Sequence, residues 1–135
     1  MATRILIADD SPIIRQCLGR LLCSHGGWEV CGEATDGEEA VSKTQELAPD
    51  IIVMDFLMPR KNGLEAAREI GKVSPTIPIL LCTICLTPQL VDLARGVGIA
   101  GMLSKGDLSK VFTCIETLLR GESFVLCHHQ LPQHI

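Results

Sequence analysis

The fold of this 135-residue chain is decided by the segment Ile51-Ile52-Val53-Met54-Asp55-Phe56-Leu57-Met58-Pro59-Arg60-Lys61-Asn62-Gly63. Its first four residues are apolar without alternation, which is typical of a strand buried on both faces of a parallel sheet. An acidic residue follows the strand directly, and Asn62 and Glu65 have the spacing of a helix capping box. The segment predicts a strand, a loop that carries Asp55, and a helix that begins near Asn62.

Similar apolar runs lie on both sides of this segment and alternate with helical patterns. The other runs are Ile5 to Ala8, Trp28 to Cys31, Ile77 to Cys82 and Ile99 to Leu103. The run that begins at Trp28 alternates polar and apolar residues, so we expect the second strand at a sheet edge. Helical spacing is clearest over residues 13–22 and 108–119. The whole pattern predicts an α/β fold with five parallel strands and five helices.

Four helix starts are signalled by residues that cap helices. The predicted capping residues are Ser11 before Pro12, Asp36 with Glu39, Asn62 with Glu65, and Thr87 before Pro88. Short polar side chains accept a hydrogen bond from the first helical turn, and proline suits the first helical position. Each helix is therefore expected to begin directly after one of these residues.

Composition limits the partners of the chain. It has 47% hydrophobic and 21% charged residues, and 12 Lys and Arg against 16 Asp and Glu give a net charge of −4. DNA binding by this chain alone is not expected, because it has no excess of positive charge for a polyanion. No apolar run approaches the roughly 20 residues of a membrane span, and no secretory signal is recognisable. We therefore expect a cytoplasmic protein without membrane contact.

Seven cysteines lie at irregular spacing along the chain. Without secretory features, we expect them to be reduced and to serve as small packing residues. Cys82 and Cys85 have the spacing of a redox or metal pair, but a second Cys-x-x-Cys is missing, so packing is favoured. Cys127, His128 and His129 match no common metal site, and a solvated tail is the favoured interpretation of the chain end.

Reactive side chains follow four of the five predicted strands. Asp9 and Asp10 follow the first strand, Asp55 follows the third, Thr83 follows the fourth, and Lys105 comes shortly after the fifth. Singly, each has an ordinary structural explanation, such as a helix cap or a solvated lysine. Ligands of open α/β sheets bind beyond the carboxyl ends of the strands, so together these residues predict a functional site.

Three converging carboxylates would repel one another unless a cation neutralised them. Mg²⁺ or Mn²⁺ suits such a site, because these hard ions take oxygen ligands. Lys105 offers a second positive charge and Thr83 a hydroxyl donor, which are the groups needed where a phosphoryl group is transferred to a carboxylate. The residues therefore predict metal-assisted phosphoryl transfer to Asp55.

This set of residues resembles the receiver domain of two-component response regulators. The resemblance rests on Asp9-Asp10, Asp55 within Asp-Phe-Leu-Met-Pro-Arg-Lys-Asn-Gly, Thr83, and Gly101-Met-Leu-Ser-Lys105. It covers residues 3 to about 121 and implies a flavodoxin-like, doubly wound sheet with strand order 2-1-3-4-5. Residues 1–121 would form the receiver domain, and residues 122–135 a tail or the start of a linker to an absent output domain.

The resemblance implies a role for each residue of the site. Asp55 would accept a phosphoryl group from a sensor histidine kinase or a small acyl phosphate, Thr83 would follow that group, and Lys105 would pair with it. The implied metal ligands are the side chains of Asp9, Asp10 and Asp55 and the backbone carbonyl of Leu57. The domain would catalyse only its own phosphorylation and dephosphorylation, so we do not expect an enzyme that acts on external substrates.

Three positions depart from the family pattern. Met102 stands where Tyr or Phe is usual; our hypothesis is that switching survives with a smaller energy gap, and the alternative is that Met102 only fills core space. Ile84 is bulkier than the small residue common after the threonine, which predicts a long-lived phosphoaspartate. Gly106 stands where many receivers have proline, so we expect a more mobile loop.

The phrases Asn62-Gly-Leu-Glu-Ala-Ala-Arg-Glu-Ile70 and Gly121-Glu-Ser-Phe124 resemble the branch whose receivers precede a LuxR-type helix-turn-helix. The implied function is a switch that controls transcription through an output domain or a partner. A kinase would dock near the first helix, and a homodimer would use helix 4, strand 5 and helix 5. Both an excised and a stand-alone receiver remain open.

Three other classes of protein compete with this function. A pseudo-receiver would keep the fold and bind a partner without phosphorylation, and Met102 and Ile84 keep that alternative open. A haloacid-dehalogenase phosphatase needs a second Asp where Leu57 stands, and a nucleotide-binding Rossmann domain needs a glycine-rich turn after the first strand. The phosphorylated switch is favoured over all three.

Overall fold

The computed structural model describes residues 2–126, in which strands and helices alternate. The strands are β1 (Thr3–Ala8), β2 (Trp28–Ala34), β3 (Ile51–Met54), β4 (Ile79–Thr83), β5 (Gly101–Ser104) and β6 (Phe124–Leu126). The α-helices are α1 (Pro12–Cys23), α2 (Gly37–Leu47), α3 (Gly63–Val73), α4 (Pro88–Gly96) and α5 (Val111–Leu119). A 3₁₀ helix, Lys105–Lys110, joins β5 to α5. Over the described range, no helix is long and apolar enough to cross a membrane.

The strands form one parallel sheet in the order β2-β1-β3-β4-β5-β6. The predicted order 2-1-3-4-5 and the edge position of β2 are confirmed. The sixth strand was not expected, because the sequence analysis placed its residues in a tail. It pairs with β5 in the register Gly101 to Phe124 and Leu103 to Leu126. Three residues are too short for a period of two to stand out, so the pattern gave no signal.

Helices cover both faces of the sheet, and the core is divided between the two faces. Successive residues of β1, β3 and β4 point to opposite faces and are nearly all buried, as their unbroken apolar sequences predicted. Buried side chains of α2, α3 and α4 pack on one face, and those of α1 and α5 on the other. This arrangement leaves the carboxyl edge of the sheet clear of helices and accessible to ligands.

The predicted helix caps are present, with one difference. Asn62 and Glu65 form a complete capping box with two bonds of 2.9 Å. Asp36 accepts a bond of 2.8 Å from the backbone of Glu39, but the Glu39 carboxylate accepts bonds from Thr35 instead of closing the box. Ser11 and Thr87 cap their helices as expected. The entries into α1, α2, α3 and α4 are therefore fixed by local sequence.

The six cysteines within residues 2–126 are all free. Cys82 and Cys114 are buried, as expected of packing residues, and Cys31 is partly buried. The packing interpretation is wrong for Cys17, Cys23 and Cys85, whose side chains are exposed. They lie on the outer faces of helix and loop, where a pattern of apolar neighbours does not imply burial. Cys127 and the histidines of the chain end lie outside the described residues.

An aromatic cluster ties the α1–β2 connection to α5 on the side of the sheet away from the reactive residues. The His25 ring stacks on Trp28 with centroids 3.6 Å apart and an interplanar angle of 9°. Phe112 meets both rings edge-on, at 5.1 and 5.4 Å. Trp28 begins β2, so the cluster lies toward the amino edge of the sheet.

Candidate functional site at the carboxyl edge of the sheet

Five predicted site residues lie at the carboxyl edge of the sheet. Asp9 and Asp10 follow β1 directly, Asp55 follows β3, and Thr83 is the last residue of β4. Thr83 pairs in register with Ser104, so Lys105 comes one residue beyond that pair. The parallel topology thus brings together residues that are up to 96 positions apart in the sequence.

An acidic cluster stands at the centre of this edge. One carboxylate oxygen from each of Asp9, Asp10 and Asp55 lies within 4.8 Å of the other two. Asp9 and Asp55 are 2% and 7% exposed, whereas Asp10 is open to solvent. Hard oxygen donors converging at this distance fit Mg²⁺ or Mn²⁺, and the open side leaves space for the waters that such ions keep.

Lys105 lies against the cluster and pairs with two of its three members. Its Nζ atom donates to Asp9 Oδ2 at 2.7 Å and to Asp55 Oδ2 at 3.1 Å. Burial by itself lowers the pKa of the Lys105 ammonium. The hydrogen bonds and charges of the two carboxylates together raise that pKa by more than burial lowers it, so its net shift is upward. Lys105 therefore remains a cation and partly neutralises the acidic cluster.

Burial and neighbouring charges shift the protonation equilibrium of the Asp55 carboxyl group. Burial raises its pKa above the usual range, and the attraction of Lys105 only partly offsets that effect. Oδ1 accepts a hydrogen bond of 2.7 Å from the backbone amide of Phe56, and Oδ2 accepts the bond from Lys105. Hydrogen bonds thus hold both carboxylate oxygens, and the side chain still lies at the carboxyl edge of the sheet.

Close packing of the backbone around Asp55 explains why position 63 is a glycine. The Gly63 amide donates to the Phe56 carbonyl at 2.7 Å, which folds the loop back onto β3. A Cβ atom on Gly63 would stand 2.3 Å from the Asp55 carbonyl oxygen, far inside any permitted contact. Glycine is therefore needed here for close approach, and the start of α3 fixes the position of Asp55.

The remaining predicted residues differ in what the structure says of them. Thr83 is 2% exposed at the end of β4. Leu57 lies in the loop after β3 with its side chain 66% exposed; coordination through its carbonyl stays a prediction. Met102 is buried within the core on the α4 side of the sheet, and Ile84 is 78% exposed beside Thr83.

Two residues at the site escaped sequence analysis. Ser104 is buried, and its hydroxyl accepts from the Gly106 amide at 3.2 Å, which fixes the turn that carries Lys105. Arg15 donates through Nη1 to the backbone carbonyl of Asp9 at 2.7 Å. Helical side chains lean toward the amino end of their helix, so an arginine one turn after the Ser11 cap was a usable signal.

Comparison with known proteins supports this description. The family model of the response regulator receiver domain matches residues 5–116. The chemotaxis protein CheY of Thermotoga maritima is 46% identical over 83 residues, which cover 62% of this chain and 68% of CheY. The response regulator GacA of Pseudomonas viridiflava is 32% identical over 123 residues, which cover 90% of this chain and 58% of GacA.

Solved structures include a similar one from the LuxR family. A two-component response regulator of that family from Aurantimonas sp. SI85-9A1 superposes with a TM-score of 0.89 at 30% identity. The match covers 99% of this chain and 94% of that one. The present chain spans little more than half the length of GacA. The family model covers most of the chain, and the chain belongs to the response regulator receiver domain family.

Proposed function

We propose that this receiver is a phosphorylation-dependent switch in which Asp55 accepts a phosphoryl group from a sensor histidine kinase or a small acyl phosphate. The observation that carries the proposal is the buried Asp55 carboxylate, held between Lys105 and two further carboxylates at the open edge of the sheet. A group with burial and a specific charge partner in such a position is a candidate nucleophile.

In the proposed reaction, a carboxylate oxygen of Asp55 attacks phosphorus and forms a new P–O bond. The P–N bond to the donor imidazole, or the P–O bond to the acyl group, breaks with its electron pair going to the leaving group. Mg²⁺ or Mn²⁺, bound by Asp9, Asp10 and Asp55, would supply positive charge that reduces repulsion between the two anions. Lys105 offsets the charge added to Asp55, and the Thr83 hydroxyl, at the end of β4, would donate a hydrogen bond to the phosphoryl group.

We infer that water later attacks the phosphorus of the phosphoaspartate and that the P–O bond to Asp55 breaks, which releases inorganic phosphate and restores the Asp55 carboxylate. We propose that the chain catalyses only this loading and unloading of its own Asp55. Ile84 stands beside Thr83 with its side chain largely in solvent, where it would restrict the approach of water. This arrangement favours slow hydrolysis.

The kinase is proposed to dock on an apolar rim made of Ile13, Leu57 and Ile84. These side chains are 70%, 66% and 78% exposed and follow β1, β3 and β4 at the carboxyl edge. Exposed apolar side chains that border a charged site mark a surface for a protein partner. We propose that control of DNA belongs to a separate LuxR-type output domain or partner, since this chain has a net charge of −4.

Intact-protein mass after incubation with acetyl phosphate and Mg²⁺ tests the proposed function. The expected result is a gain of one phosphoryl group that disappears in Asp55→Asn and when the cation is chelated. Asp92→Asn is the matched control, because Asp92 is exposed on α4 and the same substitution there should leave the gain intact.

The pseudo-receiver is the competing function, and one observation favours it. Lys105 already pairs with Asp9 and Asp55, so the acidic cluster is partly neutralised by the protein itself. No mass gain in the unmodified chain, together with no binding of beryllofluoride, would establish that alternative.

A further inference from the structure

Arg15 connects three elements around the acidic pair without belonging to it. Its Nη1 atom donates to the Asp9 carbonyl at 2.7 Å, and its Nε atom donates to Glu33 Oε1 at 2.9 Å. The Arg15 side chain is 15% exposed, and Glu33 lies near the end of β2. The guanidinium thus joins the start of α1 and the end of β2 to the loop that follows β1.

The Asp9 carbonyl is an effective place to hold this loop. A peptide unit is planar, so a hydrogen bond that fixes the Asp9 carbonyl oxygen also fixes the orientation of the peptide plane and the position of the Asp10 Cα atom. The other groups of Asp9 are already engaged: its amide donates to Ala34, and Oδ1 accepts from Ser11. The bond from Arg15 therefore removes the main rotation still open to the Asp9–Asp10 peptide.

The positive charge of Arg15 lies beside the predicted cation site and has to be neutralised there. A cation beside three carboxylates weakens the binding of a second cation unless its own charge is neutralised. Glu33 supplies that neutralisation through the 2.9 Å ion pair. Arg15 is thus placed to orient the loop through hydrogen bonds, with its electrostatic competition against a metal ion reduced.

We propose that Arg15 is a positioning residue for the cation site, acting through the Asp9 carbonyl, and that Glu33 holds and neutralises it. The proposal rests on the proposed function to the extent that Asp9, Asp10 and Asp55 bind a divalent cation. Residues that orient metal ligands by hydrogen bonds are worth about 10–100-fold in metal affinity elsewhere.

Calorimetric titration with Mg²⁺ alone tests the proposal on the full chain and four variants. Arg15→Gln should weaken binding about 10-fold or more. An arginine that acted only by its charge would give the opposite sign, because its removal would tighten binding. Arg68→Gln is the matched control: Arg68 is exposed on α3, and the same change there should leave the affinity unchanged.

Arg15→Lys keeps the positive charge but lacks the planar guanidinium that bonds to the Asp9 carbonyl and to Glu33 at once. The variant therefore distinguishes an effect of hydrogen-bond geometry from an effect of charge. We expect it to weaken Mg²⁺ binding, whereas an effect of charge predicts no change. Glu33→Gln keeps an acceptor but leaves Arg15 charged and unneutralised, so it should also weaken binding, by less than Arg15→Gln. Far-ultraviolet circular dichroism confirms that each variant is folded, and Arg15→Lys decides the question if Arg15→Gln is not.

A second measurement needs no metal. The Ser11 amide donates to Asp9 Oδ1 at 2.9 Å, and its hydrogen exchange in the metal-free protein should be faster in Arg15→Lys than in the unmodified chain. Unchanged exchange and Mg²⁺ affinity in folded Arg15→Lys and Arg15→Gln would overturn the assignment. Failure of the unmodified chain to bind Mg²⁺ would instead overturn the proposed cation site, so the two failures are distinguishable.

Discussion

Asp55 carries its carboxylate at a position that disfavours charge. The residue is 7% exposed, and burial raises the pKa of its carboxyl group in spite of the hydrogen bond from Lys105. The ionised form is therefore less favourable in the folded chain than in the unfolded chain. A site built this way sacrifices stability at neutral pH for a carboxylate that a cation and a phosphoryl group can reach.

Asp55→Asn should therefore make the metal-free protein more stable at pH 7. The raised pKa means that the folded chain loses stability as the pH rises through the folded value, and that the penalty is absent below the unfolded value. The advantage of the variant should accordingly shrink in acid. Urea midpoints measured from pH 7 down to pH 4 check both parts, with Asp92→Asn as the control. A variant less stable than the parent at pH 7 would contradict the account.

Ile84 is the residue at which hydrolysis should be tuned. Replacing it by Ala removes most of a side chain that is 78% exposed, so the fold should lose little stability, within about 0.5 kcal/mol. We expect the phosphoaspartate to hydrolyse several-fold faster in Ile84→Ala, because water reaches it more freely. Decay of the phosphorylated mass after removal of acetyl phosphate gives the rate. Leu93→Ala is a control, since Leu93 is exposed on α4, away from the carboxyl edge.

At the scale of the element, β6 covers the hydrogen-bonding edge of β5. Its backbone pairs with Gly101, Met102 and Leu103, so β5 is no longer the last strand of the sheet. An unpaired strand edge is a template for association with another chain. The homodimer face expected around helix 4, strand 5 and helix 5 stays a prediction, and β6 occupies the edge of that strand.

Removing β6 should therefore promote self-association. A chain ending at residue 121 exposes the β5 backbone edge, whereas a chain ending at residue 126 retains the pairing. We expect a higher weight-average mass for the shorter chain in sedimentation equilibrium. Equal masses for the two chains over the same concentration range would mean that β6 does not protect this edge.

Elements with strong local signals could be predicted from the sequence, and those fixed by tertiary pairing could not. Unbroken apolar runs identified β1, β3 and β4, and capping residues located the starts of four helices. At the site, the strand-end pattern located the acidic cluster and Lys105. Arg15 and Ser104 were missed because both bond to backbone groups. No residue-specific pattern marks the bond of Ser104, whereas the spacing of Arg15 from the Ser11 cap was a usable signal. The helix predicted over residues 108–119 begins later, since the chain first makes a 3₁₀ turn.

At the scale of the whole molecule, burial separates five of the cysteines into two chemical classes, the buried and the exposed. Cys82 and Cys114 lie in the face shared by α1 and α5, and burial raises the pKa of their thiols to about 12 and about 11. Cys17, Cys23 and Cys85 are exposed. Only the thiolate reacts with an alkylating reagent, so the first class should be inert in the native protein.

Alkylation of the native chain with iodoacetamide should modify the exposed cysteines and spare Cys82 and Cys114. The two buried residues should stay unmodified until urea is added. Peptide mapping by mass spectrometry distinguishes the sites. Early modification of Cys82 would mean that the face it occupies opens without global unfolding.

The aromatic cluster gives this receiver an intrinsic fluorescent probe that reports on one region of the molecule. Trp28 is the only tryptophan in the sequence; it stacks on His25 and meets Phe112 edge-on toward the amino edge of the sheet, away from Asp55. Its fluorescence should change when α5 separates from the α1–β2 connection, and should hardly respond to events confined to the acidic cluster. Emission from the native chain can therefore follow unfolding while a separate method follows ligand occupancy, so the two processes can be read independently in one sample.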